Sequence, residues 1–243
     1  MSCLQEEALA WVDSEEYALA LRDRFWAELA AHPSLATHRS FCGYGYGMGE
    51  DAFHWMWKLL VDELPDGFRF LEVGVYKGQV PSLVRLLADE TYKGADIFGV
   101  TLLSPFAGLT GKFCPHPDDN YMRDIKDLHD HFDQPMPVLI VGDSTSWDVH
   151  EIVGGMPPFD VVFIDACHEY DFVAADLLFY PKLVKEGGYL VIDDAACDLK
   201  QPFGFFQGIQ DVCKAARTVI LTDPQWEHVI TVCHDRIFRR NLL

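Results

Sequence analysis

The stretch Phe70-Leu71-Glu72-Val73-Gly74-Val75-Tyr76-Lys77-Gly78 decides the fold of this chain. It runs from an apolar strand into a tight turn, and a helix is expected to begin near Pro81. The two glycines let the backbone turn sharply and approach a ligand closely, while the first amides of the helix would point at that ligand. The spacing is G-x-x-x-G, so the G-x-G-x-x-G cradle of dinucleotide-binding proteins is not predicted. A glycine-lined turn without a ligand is the alternative.

From residue 67 to about residue 200, short apolar runs alternate with helical stretches, a pattern typical of strand–helix–strand units around a parallel sheet. Five strands are expected, at residues 68–73, 97–102, 138–141, 161–165 and 189–193. A helix near 208–217, a strand at 218–221 and a last strand around 228–238 follow. The predicted fold class is α/β, a Rossmann-like, doubly wound and mostly parallel seven-stranded sheet with an N-terminal helical extension.

The extension covers residues 1–66, with helices expected at 6–31 and 51–64. Helical spacing from Phe53 onward indicates that Phe53, Trp55 and Trp57 pack in the core. Between the helices lies an aromatic, glycine-rich linker, in which Tyr44 and Tyr46 could close over a ligand as a lid. The connection 104–134 is unusually long for this fold class, and we expect it to shape a substrate pocket.

Charge and hydropathy exclude several classes of protein. Nineteen basic against 38 acidic residues give a formal net charge of −19, which would repel a polyanion, so nucleic acid is not an expected partner. No apolar run reaches the roughly 18 residues that a membrane-spanning helix needs, so no membrane partner is expected. The first residues lack the pattern of a secretory signal, which favours the cytoplasm. Assembly into a homo-oligomer is left open.

The seven cysteines are odd in number and form no C-x-x-C pair. Most of them lie in apolar runs. This pattern is typical of reduced, buried thiols, and it predicts neither a disulfide framework nor a zinc site.

Polar residues follow the predicted strands at the point where each strand ends. In open α/β sheets, ligands bind just beyond the carboxyl ends of the strands. Asp165 would converge with Asp193 and Asp194 if the fourth and fifth strands are neighbours. Carboxylate oxygens suit Mg²⁺ or Ca²⁺ better than zinc, so these three aspartates are the predicted metal ligands. The alternative is that Asp193 and Asp194 only cap the following turn while Asp165 is a solvated strand end.

The run from Leu71 to Gly78 resembles motif I of class I S-adenosylmethionine-dependent methyltransferases, and it is especially similar to the catechol O-methyltransferase group. Val141-Gly142-Asp143-Ser144 is similar to that family's turn after the third strand. The runs 163–170 and 183–194 resemble metal-dependent small-molecule methyltransferases, including macrocin-type O-methyltransferases and their cephalosporin-hydroxylase-like relatives. The resemblance covers about residues 67–198. It implies that 67–243 form an S-adenosylmethionine-binding domain and that 1–66 serve as a lid, a substrate-binding segment or an oligomerisation segment.

In this family the motif I turn holds the methionine and ribose parts of the cofactor, and the turn after the third strand contacts the adenine. The second strand usually ends in an acidic residue that binds the ribose, but here it ends at Thr101. The residues that the resemblance implies for cofactor binding are Glu72, Gly74, Tyr76, Gly78, Thr101, Asp143, Ser144 and Asp165.

His168 lies three residues after Asp165, in the loop where the catechol group places a lysine base. An imidazole, with an ordinary pKa of about 6.5, could remove a substrate proton near neutral pH. A histidine that only hydrogen-bonds a carboxylate is the alternative. The predicted catalytic residues are therefore His168 and Asp165. Five other histidines are interpreted as structural, surface or solvated groups, namely His129, His131, His150, His228 and His234.

These residues together predict an S-adenosylmethionine-dependent O-methyltransferase assisted by Mg²⁺ or another divalent cation. Its substrate would be a small hydroxylated molecule, such as a phenol, a catechol or a sugar of a natural product. Three alternatives stay open. They are a metal-independent small-molecule N-methyltransferase, a dehydrogenase with a nucleotide cofactor, and a non-catalytic cofactor-binding protein on the same fold.

Overall fold

The computed structural model describes residues 2–43, 45–103 and 120–242. The described strands are β1 Phe68–Val73, β2 Ala95–Thr101, β3 Val138–Val141, β4 Phe159–Ile164, β5 Val184–Ile192, β6 Trp226–Val232 and β7 Asp235–Arg240. The described helices are α1 Cys3–Ala10, α2 Glu15–Ala31, α3 Pro33–Cys42, α4 Ala52–Glu63, α5 Gln79–Glu90, α6 Tyr121–His131, α7 Trp147–Gly154, α8 Tyr170–Phe179 and α9 Gln210–Val219. Among these helices, none is long and apolar enough to cross a membrane.

The seven strands form one sheet in the order β3-β2-β1-β4-β5-β7-β6. The first five pair in parallel, while β7 runs antiparallel to β5, and β6 antiparallel to β7. The predicted Rossmann-like, mostly parallel sheet is thus confirmed, with a mixed edge made by the last two strands. After β1 the chain adds β2 and β3 on one side of β1, and it then crosses back to add β4 on the other side. This reversal of strand order opens a crevice above the carboxyl ends of β1 and β4, where such folds bind ligands.

From residue 218 onward the structure differs from the sequence prediction. The predicted strand 218–221 is wrong, because α9 continues through Val219 and its buried face packs on the sheet. The β-branched run there resembles a strand locally, but tertiary packing prevails over that preference. The single strand predicted around 228–238 is a hairpin of β6 and β7, whose turn contains Cys233 with a φ of 51°. Seven strands were expected and seven are described, but the last two are not the predicted ones.

The N-terminal helices belong to the same hydrophobic core as the sheet. Buried residues of α2 and α4 share one apolar cluster with β1, β4 and α5. The Trp57 ring meets Phe70 and Phe163 edge-on, with ring centroids 5.6 and 5.3 Å apart, so the core role predicted for this residue is confirmed. The helix predicted at 6–31 is broken before Ser14, whose hydroxyl caps α2 by accepting from the Tyr17 amide at 3.1 Å.

One pair of cysteines contradicts the prediction that all thiols are reduced. Cys197 follows β5 and Cys213 lies on α9, and the structure joins them in a disulfide with a Cα–Cα distance of 5.9 Å. An isolated bridge between Ala195 and Gly208 draws these two segments together, and sequence spacing alone does not reveal it. Cys42 fits the prediction of a buried thiol, and burial raises its pKa to about 12.

Candidate active site

A cavity of about 820 Å³ opens at the carboxyl ends of the parallel strands. This volume lies within the range of small-molecule sites, which runs from about 300 to 1,000 Å³. Every residue that the sequence singled out for the site lines this cavity, namely Glu72, Gly74, Tyr76, Gly78, Thr101, Asp143, Ser144, Asp165, His168, Asp193 and Asp194. The fold therefore brings together residues spread over more than 120 positions of sequence.

The turn after β1 brings two strand ends into close contact. Gly74 has a φ of +108°, and a Cβ atom added there would lie 2.1 Å from the backbone oxygen of Asp165. Gly78 has a φ of +86° and directly precedes α5, whose first amides face the crevice. Any side chain at position 74 would push β1 and β4 apart, so this position requires glycine for two independent reasons.

Beside this turn lies a carboxylate cluster, which we define as Glu72, Asp165, Asp193, Asp194 and Asp235. Glu72 is only 4% exposed, and its Oε2 has no hydrogen-bond partner among the described residues. Asp165 and Asp193 interact directly through their side chains. Each of them, together with His168, can offer one ligand atom, and the three atoms lie within 4.8 Å of one another. The two carboxylates at this spacing are suited to a single hard cation such as Mg²⁺ or Ca²⁺.

Burial and mutual repulsion shift the pKa of every member of this cluster upward. Desolvation is the larger cause at Glu72, whose pKa rises to about 8, and the charge of Asp193 adds to it. The pKa of Asp193 rises to about 6 by burial and the charge of Asp165, and that of Asp194 to about 7 by burial and the charge of Asp193. The pKa values of Asp165 and Asp235 are raised well above the usual range, again mainly by burial. Because these carboxylates repel one another, a cation that binds among them would be stabilised by their combined negative charge.

Two histidines contact the cluster from opposite sides. The Nε2 of His168 lies 3.2 Å from Oδ2 of Asp194 and 3.5 Å from Oδ1 of Asp165. The Nε2 of His234 lies 3.6 Å from Oδ1 of Asp193 and 3.8 Å from Oδ1 of Asp194. Asp194 thus contacts both imidazoles, although it belongs to neither group of three ligand atoms found among the described residues.

Sequence analysis missed His234 and Asp235. They lie at the β6–β7 turn, and with Asp193 they form a second group whose ligand atoms lie within 4.8 Å. The interpretation of His234 as an isolated structural or surface residue is wrong, because the hairpin carries it to the carboxylates. The adjacent histidine and aspartate were the available signal. It was overlooked because residues 228–238 were read as one continuous strand.

The remaining predicted cofactor contacts are already hydrogen-bonded within the protein. Thr101 donates its hydroxyl hydrogen to the Val75 carbonyl at 2.8 Å and accepts from the Leu103 amide at 3.0 Å. That hydroxyl therefore has no hydrogen left for a ribose oxygen. Asp143 accepts from the amide and hydroxyl of Thr145, at 2.9 and 2.8 Å. The Ser144 hydroxyl donates to Asp176 at 3.1 Å. Their roles in cofactor binding stay predictions.

The helical extension closes one side of the cavity. Tyr46, Phe53 and His54 line it, and Phe53 also packs edge-on against His234, with ring centroids 4.8 Å apart. Tyr44 and most of the connection 104–134, from 104 to 119, lie outside the described residues. The prediction that His129 is solvated is wrong, since it is 1% exposed.

Comparison with known proteins supports the motif analysis. A family model described as "Methyltransferase domain" matches residues 71–195, slightly more than half of the chain. The matched segment begins in β1 and ends just after Asp194, so it contains the glycine turn, all three predicted metal-ligand aspartates and His168. No curated protein matches the chain.

Several solved structures share the fold. The S-adenosylhomocysteine-bound methyltransferase PaMTH1 of Podospora anserina superposes with a TM-score of 0.56 at 16% identity, covering 92% of this chain and 88% of that one. The calicheamicin methyltransferase CalS11 gives a TM-score of 0.56 at 16% identity, covering 94% of each chain. The O-methyltransferase NovP gives 0.55 at 13% identity, covering 81% of this chain and 83% of that one.

Proposed function

Because the chain belongs to the methyltransferase domain family, we propose that it transfers a methyl group from S-adenosylmethionine to a hydroxyl of a small molecule, with a divalent cation at the site of transfer. One observation carries the proposal. The glycine turn of motif I and a group of cation-binding side chains line the same cavity, so a sulfonium donor and a cation-held acceptor would be neighbours.

The cofactor fits the turn after β1. Gly74 keeps the crevice open where a side chain would fill it, and the N-terminus of α5 supplies amides that can bind a carboxylate. Glu72 presents a buried oxygen without a protein partner beside this turn, as expected of an acceptor that a ligand satisfies. When bound, the cofactor supplies an activated methyl group. The protein contributes mainly by positioning the two reactants, which alone can lower the barrier by several kcal/mol, about 7 to 11 in favourable cases.

A divalent cation fits the carboxylate cluster. Asp165 and Asp193 would hold it, and Asp194 would complete the set of three strand-end aspartates predicted from the sequence. Oxygen donors favour Mg²⁺ or Ca²⁺, and Mg²⁺ usually keeps coordination positions for exchangeable ligands. When bound, such a cation lowers the pKa of a hydroxyl beside it.

His168 is placed to accept the proton that the acceptor hydroxyl releases. It is partly exposed in the cavity wall, while Asp165 and Asp194 lie within 3.5 Å of its Nε2 and would stabilise the imidazolium that forms. The alternative role, a histidine that only orients a carboxylate, uses the same contacts. A variant that keeps hydrogen bonding but cannot take up a proton separates the two roles.

A small hydroxylated acceptor suits the charge and the size of the cavity. A net charge of −19 opposes binding of nucleic acid, and 820 Å³ can hold the cofactor beside a compact acceptor. CalS11 is described as a TDP-rhamnose 3'-O-methyltransferase. Sugars of natural products are therefore the first acceptors to test, followed by phenols and catechols.

Calorimetric titration of the full chain tests the proposal. S-adenosylhomocysteine should bind at one site, and Mg²⁺ should bind at a second site whose heat disappears in an Asp193→Ala variant that still binds S-adenosylhomocysteine within a few-fold. Methyl transfer to a hydroxylated acceptor should be lost in EDTA and restored by Mg²⁺. Absence of S-adenosylhomocysteine binding would contradict the function as a whole. Transfer to the hydroxyl that is insensitive to EDTA would contradict the role of the cation, and EDTA-insensitive transfer to an amine in place of a hydroxyl would favour the metal-independent N-methyltransferase.

A further inference from the structure

A chain of buried hydrogen bonds links the helical extension to α5. We call it the histidine relay and define it as His54, His38, Ser82 and Gln134. His54 Nε2 lies 3.0 Å from His38 Nδ1, and His38 Nε2 lies 3.2 Å from the Ser82 hydroxyl oxygen. That hydroxyl lies 2.7 Å from Gln134 Oε1, and Gln134 Nε2 lies 3.1 Å from the Ser82 carbonyl oxygen. Both histidines and Ser82 are 0% exposed.

The direction of every hydrogen bond in the relay follows from its far end. A carbonyl oxygen can only accept, so the Gln134 amide nitrogen must face the Ser82 carbonyl, which leaves Oε1 facing the Ser82 hydroxyl. Ser82 therefore donates its single hydrogen to Gln134. Its oxygen can then only accept from His38, which must carry a proton on Nε2.

The same reasoning fixes the tautomer of His54. Burial lowers the pKa of His38 to about 3 and the pKa of His54 well below its usual range, so both rings are neutral and each carries one proton. With its proton on Nε2, His38 presents a lone pair at Nδ1. Two lone pairs cannot face each other at 3.0 Å, so His54 donates from Nε2. Its Nδ1 is left as a bare hydrogen-bond acceptor.

This acceptor has no partner among the described residues, although it is fully buried from solvent. A buried acceptor of this kind destabilises the protein unless a donor satisfies it. His54 lines the ligand cavity, as does Glu72, whose Oε2 is the other orphaned acceptor on the wall formed by α4 and β1. A ligand that carries N–H donors would complement this part of the cavity wall, where His54 Nδ1 and Glu72 Oε2 have no partner among the described residues.

Given the proposed function, we infer that His54 is a cofactor-binding residue whose Nδ1 accepts a hydrogen bond from the α-ammonium group of S-adenosylmethionine. The relay holds it in the only tautomer that can do so. A carboxylate would be repelled by the same lone pair. The hydroxyl group of a substrate could also donate a hydrogen bond to Nδ1. The experiment below distinguishes a substrate hydroxyl from the ammonium group of the cofactor.

Nitrogen-15 NMR of the wild-type protein with labelled histidine reads the tautomer directly. Without ligand, His54 should show a protonated Nε2 and a bare Nδ1 across the neutral pH range. Adding S-adenosylhomocysteine should shift the Nδ1 signal toward its hydrogen-bonded value, and the deaminated analogue of S-adenosylhomocysteine should not. A protonated Nδ1 in the free protein, or an equal shift with both ligands, would overturn the inference.

Two variants isolate the acceptor atom in binding measurements. His54→Leu and His54→Asn both break the link to His38, but only asparagine keeps an oxygen near the position of Nδ1. We expect His54→Leu to bind S-adenosylhomocysteine about ten- to a hundredfold more weakly than His54→Asn, as for a hydrogen bond to a charged group. The two variants should bind the deaminated analogue equally. His129→Leu, which removes a buried histidine outside the cavity wall, is the control and should bind like the wild type.

The results also separate this inference from the proposed function. If no variant and no wild-type sample binds S-adenosylhomocysteine, the cofactor assignment fails. If the wild type binds it and His54→Leu binds it equally well, only the role of His54 is wrong.

Discussion

Two buried polar clusters border one cavity, and they differ in how their polar atoms are satisfied. The histidine relay satisfies its own atoms by internal hydrogen bonds, apart from one acceptor at its end. The carboxylate cluster holds five acids whose pKa values all rise on burial, and it has no lysine or arginine bridge among the salt bridges described at Asp165, Asp193 and Asp194. The relay is thus satisfied from within the protein, whereas the proposed cation would stabilise the acids from outside it.

The difference between the two clusters concerns their expected effect on the free energy of unfolding. A hydrogen-bonded network whose atoms are all satisfied makes a site rigid. A buried cluster of like charges lowers the free energy of unfolding, and a ligand of opposite charge raises it again when it binds. Substitutions should therefore have opposite effects in the two clusters. Loss of a carboxylate should harm activity without harming the fold, and loss of a relay residue should harm the fold first.

The largest effect is expected at the carboxylate cluster. Asp193→Asn removes a ligand charge from the centre of the predicted metal site, and we expect methyl transfer to fall roughly a thousandfold, as for the loss of several kcal/mol of stabilisation by a metal. The melting temperature of the metal-free protein should not fall, because a repulsive buried charge has been removed. Steady-state kinetics and calorimetric melting check both points. A variant that melts well below the wild type would show that the carboxylate is structural, and the contrast between the clusters would not hold.

A smaller loss is expected when the proposed base is replaced. His168→Gln keeps a side chain that can hydrogen-bond Asp194 but cannot take up a proton, so transfer should fall about a hundredfold, at the lower end of general-base effects. Binding of Mg²⁺ and of S-adenosylhomocysteine should stay within a few-fold. The matched control is His150→Gln, since His150 stacks on Phe179 away from the cluster. Activity near the wild-type level in His168→Gln would favour the orienting role.

The smallest effect concerns the pH dependence of stability in the relay. His38 has a folded pKa of about 3, below the unfolded value of about 6.5, so it stays neutral in the fold while the unfolded chain takes up a proton. The free energy of unfolding therefore falls as the pH drops below 6.5. Between pH 7 and pH 5 this histidine should account for about 2 kcal/mol of the loss.

Urea unfolding at both pH values measures this contribution. In His38→Phe the difference between the two pH values should shrink by that amount, whatever the variant's stability at pH 7. Equal pH dependence in both proteins would mean that His38 is not held neutral in the fold.

Sequence analysis predicted the sheet well where strands are covered on both faces. The bounds of β1 agree with the prediction, because a buried and continuous apolar run between turns is a clear strand pattern. The bounds of the edge strand β3 also agree, although Val138 and Val141 are exposed. The prediction failed from residue 218 onward, where a β-branched helix end resembled a strand and the two strands of a hairpin were predicted as one. Local preference there competes with packing on α8 and the sheet, and only the assembled core settles that competition.

The candidate site divides in the same way. Glu72, Gly74, Asp165 and Asp193 could be found in sequence, because in an open parallel sheet all strand ends of one direction meet at one edge. His234 could not be placed beside the acids, although its His-Asp pair is visible in the sequence, because its position depends on the β6–β7 hairpin, which pairs antiparallel with β5. The disulfide between Cys197 and Cys213 could not be found in the sequence either.

The sequence by itself determined the five parallel strands, the glycine turn and the acids at the strand ends, since periodicity and backbone sterics are local properties of the chain. Only the tertiary structure decided which imidazoles reach those acids and which tautomer His54 adopts. The physical reason is range. The position of each proton in the histidine relay is set by a distant group, the Ser82 carbonyl oxygen, which can only accept a hydrogen bond. The hydrogen bonds that carry this constraint join residues 38, 54, 82 and 134, which are far apart in sequence.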